Sequence, residues 1–206
     1  MSYVTHDSTY ARPAMGNAVC TTGLGTSFSI KLYTASATFS GVTISNGTAT
    51  VSGSGFTGLS AGQVVFFTED TTSTPYVVSS STSTSVILTA NYTGASISGG
   101  HLEVTPLNAD TSIGSATAAA TITGVQFAAS SLGTSQINSS TADSNAVGGT
   151  VRFGRMIAGT GGTPGLTVQF VITPTGKGGD MQMNTVVIGG SAAVALAGTN
   201  TYAAAP

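Results

Sequence analysis

Apolar side chains in this chain come mostly singly, set between serines and threonines, in short runs that Gly, Pro and Asn interrupt. Alternation of that kind places successive side chains on opposite faces of an extended strand. Phe28, Ile30 and Leu32 alternate with Ser29 and Lys31, which predicts a strand with one buried side. Val42 to Ser45 and Thr48 to Ser52 flank Asn46-Gly47, a strong hairpin signal. Gly53 to Gln63 reads as turn, and the apolar run Val64 to Phe67 as a central strand. Glu69-Asp70, followed by Thr, Ser and Pro75, marks a loop. Three further strands follow at Tyr76-Val77-Val78, Ser85 to Thr89 and His101 to Val104.

In the second half, Ala116 to Ala129 poses a choice, because alanine favours helix. Thr117, Thr121, Ile122, Thr123 and Val125 are β-branched and Gly124 would weaken a helix interior, so the segment is read as a strand. Ser130 to Gly149 is polar without apolar periodicity, which predicts a long loop or mobile insertion; tight ordering there would point to a partner. Val151 to Ile157 and Leu166 to Ile172 predict a hairpin across the glycine-rich turn Gly159 to Gly165. Met181, Met183, Val187-Ile188 and Ala193 to Leu196 complete the set. The fold expected is all-β, with an extended N-terminal arm over 1–27. Behind it come one or two antiparallel β-sandwich or barrel-like modules, the first over 28–105 and the second over 106–206.

Charge is the unusual part of the composition. Only 6% of the 206 residues are Asp, Glu, Lys or Arg, against about 25% in ordinary soluble proteins. No run of about 18 apolar residues exists to span a bilayer as a helix. Disorder goes with low hydrophobicity and high net charge, whereas this chain is 40% hydrophobic with a net charge of −2. A folded chain with so few charges is poorly protected from association, so much of its surface is expected to be covered by partners. Met1 to Asp7 lack a basic segment followed by an apolar stretch, so a classical secretory signal is not expected. Cys20 is the only cysteine, which excludes an intrachain disulfide and a multi-cysteine metal site.

The inventory for catalysis is thin: seven acidic residues and two histidines. His6 and His101 have no neighbouring His or Cys at metal-ligand spacing. Glu69-Asp70 is read as a solvated loop rather than a cation site or a catalytic pair. Gly159 to Gly165 lacks the Lys-Ser or Lys-Thr of a phosphate loop. Arg152 and Arg155 are the only close basic pair, and their odd spacing along a strand predicts opposite faces, so no basic patch for nucleic acid is expected. Three Asn-x-Ser/Thr sites arise readily by chance in a chain this rich in Ser and Thr. The reading is therefore of no catalytic residue, no cofactor, no metal, no nucleic acid and no membrane. Interface residues are placed in the arm, at Tyr3, Tyr10 and Arg12, because a segment too polar for its own core but carrying aromatic anchors is most easily stabilised on a neighbouring subunit.

Thr48 to Gly94 resembles a module of tailed-bacteriophage structural proteins. Val51-Ser52-Gly53, Phe56 to Leu59, Gly62-Gln63, Tyr76-Val77-Val78, Val86 to Thr89 and Tyr92-Thr93-Gly94 come in the order of that module. The C-terminal part is similar to another phage module, through Thr150 to Met156, Asp180 to Asn184, Val187-Ile188 and Gly189-Gly190. The resemblance implies a non-enzymatic virion protein, foremost a capsid decoration or cement protein on the head surface. Its implied partners are the major capsid protein or other virion proteins, and its own copies in a homo-oligomer, with a trimer favoured. A tail, neck or head-fibre component is the alternative. A glycan-binding adhesin module, acting through loops such as Ser130 to Gly149, is the alternative of another class.

Overall fold

The computed structural model describes residues 24–25, 27–107, 112–127, 134–162, 166–196 and 201–203, and every regular element among them is a strand. The all-β expectation holds, and the strands divide into a closed barrel and a seven-stranded sheet.

The barrel is built from β2 (Ala37–Ile44), β3 (Thr50–Ser52), β4 (Val64–Phe67), β5 (Tyr76–Ser81), β6 (Ser85–Leu88) and β7 (Ile97–Val104). They close in the order β2-β3-β6-β5-β4-β7, with β7 pairing back on β2. Closure leaves no free edge, and alternate side chains fill the interior. Val42, Ile44, Val51, Val65, Phe67, Val78, Val86 and Leu102 are almost wholly buried there. Phe67 and Tyr92 meet edge to face at 4.9 Å between ring centres. Asn46-Gly47 does turn the chain between β2 and β3. Only Gly47 takes positive φ, and Thr48 N–H donates to the Ser45 carbonyl at 3.2 Å, so the pair sits in a wider connection than a two-residue hairpin.

The sheet runs in the order β13-β12-β11-β1-β8-β9-β15. Its strands are β1 (Ser27–Tyr33), β8 (Ala118–Phe127), β9 (Thr134–Thr141), β11 (Phe153–Thr160), β12 (Thr167–Pro174), β13 (Met181–Met183) and β15 (Thr201–Ala203). β10 (Gly149–Thr150) and β14 (Val187–Ile188) form a separate two-stranded ribbon. Phe28, Ile30 and Leu32 bury the core face of β1, as the alternation predicts. β8 is a strand despite its alanines, and Gly124, at φ +60°, lies where the register slips between Phe28↔Val125 and Ile30↔Ile122. A residue that weakens a helix is here a bulge. β11 and β12 form the expected antiparallel hairpin.

Three features depart from the sequence reading. β1 does not open the first module: it pairs with β8 and β11 in the sheet, so the barrel is inserted between β1 and β8. Local alternation sets which face of β1 is buried, but its partners come from beyond residue 117. Ser130 to Gly149 is not wholly loop, because 134–141 forms β9, paired with β8 and β15. A strand flanked on both sides can be held by backbone ladders without an apolar stripe of its own. Finally, β13 pairs parallel to β12, so the second module is not purely antiparallel.

Candidate functional site

Two connections, 34–36 and 105–117, join the bodies, and hydrogen bonds knit their described residues together. Ser36 N–H donates to the Val104 carbonyl at 2.8 Å, Ser115 N–H to the Ser36 carbonyl at 2.8 Å, and Thr34 N–H to the Thr117 carbonyl at 3.0 Å. Beside them lies Arg152, which is 3% exposed. Its Nε donates to Glu103 Oε2 of β7, its Nη1 donates to Ser73 Oγ at 3.2 Å, and its guanidinium lies over the Phe66 ring at 4.7 Å. Ser73 itself holds a positive φ of 49°, a costly backbone state for a residue other than Gly. An arginine from the sheet body thus meets a carboxylate, a hydroxyl and an aromatic face, all from the barrel. A buried ion pair this well bonded specifies geometry more than it adds stability, but removing one partner leaves a charge without compensation.

Arg155, also buried, donates from Nε and Nη2 to Gln169 Oε1 at 3.1 Å, and Gln169 Nε2 donates to the Pro106 carbonyl at 2.6 Å. Tyr33 stacks on Phe153 with ring centres 5.1 Å apart. Burial raises the Tyr33 pKa, and the Arg155 charge opposes the rise. The expectation that Arg152 and Arg155 point to opposite faces is corrected, since Arg152 engages the barrel and Arg155, through Gln169, the linker leaving it. Strict alternation holds only within a strand, and β11 begins at Phe153.

The acidic loop after β4 is built differently. Glu69 Oε1 lies 2.8 Å from His101 Nδ1, and Glu69 Oε2 accepts His101 N–H at 2.9 Å. Burial acts to raise the Glu69 pKa, yet the hydrogen bonds from His101 and the backbone, with the His101 charge, bring it below its ordinary value. Asp70 turns the other way: its Oδ1 accepts Thr72 N–H at 2.9 Å and Thr72 Oγ1–H at 2.6 Å, while its buried Oδ2 accepts none. The two carboxylates therefore serve different partners rather than one ion. Among the described residues, no three His, Cys, Asp or Glu side chains are grouped to hold a metal. The Glu69 contact orients the imidazole, but Ser40, opposite His101 in the β2–β7 register, makes no hydrogen bond to it. With side-chain exposures of 37% and 49%, the pair is a surface tie between the loop and β7.

The third feature is a cleft of about 480 Å³ on the core side of the sheet. Leu32 and Ile122 lie at its floor, fully buried, while Met181, Met183, Val194 and Leu196 form half-buried walls. Among the described residues, no charged side chain lines it. Sequence reading missed the cleft because its walls come from β1, β8 and the segment 181–196, which become neighbours only on folding. The short spacing of apolar residues at Met181, Met183, Val187 and Ile188 was its only trace in the sequence. Tyr3, Tyr10 and Arg12, the expected interface residues, lie outside the described residues, as do His6 and Cys20. Among the described residues, no helix is long and apolar enough to cross a membrane. Compared with known proteins, the chain is matched by no family model, by no curated protein and by no solved structure.

Proposed function

We propose that the chain is a non-enzymatic virion structural protein, a capsid decoration protein that stabilises a phage head through contacts between subunits. The observation that carries the reading is the use made of its few charges. Arg152 and Glu103 neutralise each other at the seam, Arg155 is buried on Gln169, and Glu69 is tied to His101. Asp143 accepts the N–H groups of Thr121 and Asn145, and Asp180 accepts that of Val171. What remains outside is largely hydroxyl and small apolar groups, a surface cheap to desolvate against other proteins. Many modest contacts of that kind, repeated over a shell, add up by mass action and multivalency. The resemblance of Thr48 to Gly94 to a tailed-phage module supports the choice of assembly.

Purified particles provide the test. Quantitative mass spectrometry should give a copy number set by head symmetry, and an electron cryomicroscopy map should place the two-body density on the shell. Density confined to the tail, neck or fibres would move the protein to that alternative. Absence from particles would sink the virion reading altogether.

A further inference from the structure

We propose that Asn46 is a site of spontaneous deamidation that the folded barrel holds shut. Asn46-Gly47 is the only Asn-Gly pair in the chain, and both residues are exposed to water. Asparagine is a thermolabile residue, and its loss needs no catalyst. The Gly47 nitrogen bonds to the Asn46 side-chain carbonyl carbon, and the side-chain nitrogen leaves as ammonia, carrying away the Gly47 amide proton. Water then opens the cyclic imide at either carbonyl, which leaves aspartate or isoaspartate. Glycine hinders the attack least, because it has no Cβ and turns freely about its backbone.

In the folded chain the reacting groups are bonded elsewhere. Gly47 N–H donates to the Tyr92 carbonyl at 2.8 Å, which commits the attacking nitrogen to the segment 92–96. Asn46 Nδ2 donates to the Gly94 carbonyl at 2.8 Å, and Asn46 N–H to Ser96 Oγ at 2.9 Å. Tyr92 N–H returns a bond to the Thr48 carbonyl at 2.7 Å. This clamp is rooted in the core: Tyr92 is 1% exposed and packs edge to face on Phe67. A side chain at Gly94 would run into the Tyr92 phenol, so the acceptor segment lies tightly on its anchor. Attack therefore requires the turn to lift from 92–96, a local opening that breaks the Gly47 and Asn46 bonds together. The carboxylate formed cannot donate to the Gly94 carbonyl, so conversion leaves the turn loosened.

Mass spectrometry of the full chain, incubated at mildly alkaline pH and then digested, reads the conversion of amide to acid in the Asn46 peptide. Native protein should convert at least about tenfold more slowly than the same chain unfolded in guanidinium chloride, because hydrogen bonds at both reacting groups must break first. Ser96→Ala removes an exposed hydroxyl of the clamp. It should speed native conversion several-fold, with an unchanged circular dichroism spectrum and an unchanged rate in the unfolded chain. Equal rates in the native and unfolded chain, no conversion in the unfolded chain, or a native Ser96→Ala rate equal to wild type would each overturn the inference.

Discussion

The barrel and the sheet solve the same problem differently. The barrel closes on itself, so Val65, Phe67, Val86 and Leu102 are sealed at 0% exposure and only a few small or peripheral apolar groups remain half-covered. The sheet has more strands but an incompletely covered core, where Met156, Val168, Met181, Met183, Val194 and Leu196 pack against it only partly buried. Closure makes the inserted body self-sufficient, whereas an open sheet depends on whatever covers its core face.

Core truncation should expose that difference most strongly. Phe67→Ala should cost the barrel about 3–5 kcal/mol, the range for a buried aromatic, whereas Met183→Ala in the incompletely covered core should cost well under half of that. Urea unfolding of both variants checks it, and equal losses would mean that the sheet core is sealed as well.

Next comes the seam. Arg152→Ala should cost about 3 kcal/mol by leaving Glu103 partly buried and unpaired, whereas the double variant Arg152→Met, Glu103→Leu should recover most of the loss. Limited proteolysis in the linker 105–117 should quicken in the single variant alone. If the double variant is as unstable as the single one, packing rather than charge compensation holds the bodies together.

Smaller effects come from pH. Burial, with the Asp70, Tyr76 and Glu69 charges adding to it, pushes the Tyr92 pKa up to about 12. The unfolded chain loses this proton near the ordinary tyrosine value, so stability should fall as pH rises from about 10 towards 12, where the folded tyrosine also ionises. Tyr92→Phe should flatten that limb in chemical unfolding measured at each pH. The smallest effect belongs to Glu69. Its folded pKa is depressed, so its contribution is present above the ordinary glutamate range and is lost as pH falls through the folded value. Glu69→Gln should remove this acid limb, and solvent screening at an exposed pair keeps the change slight.

Much of the local structure was legible in the residues. Alternation at Phe28, Ile30 and Leu32 named the buried face of β1, and the β-branched residues around Gly124 named a strand where alanines pointed to a helix. Other features were legible only in part. Val64 to Phe67 reads as a continuous apolar run because Val65 and Phe67 fill the barrel while Phe66 faces outwards beneath Arg152. Gly159 was read as part of a turn, yet it is a strand residue that cannot carry a side chain. A Cβ there would lie 1.8 Å from the Ser27 carbonyl oxygen.

By itself, then, the order of residues settled the class of structure, the buried face of β1, the main turns and the scarcity of charge. These follow from interactions within a few residues: side-chain alternation, β-branching and turn chemistry. Only the tertiary structure decided that β1 leaves the barrel for the sheet, that Arg152 finds Glu103 across the seam, and that half-buried Met181 and Met183 share a cleft with Leu32 and Ile122. Those arrangements join residues dozens of positions apart. Their pairing is set by which faces must be buried together, and no local pattern records that choice.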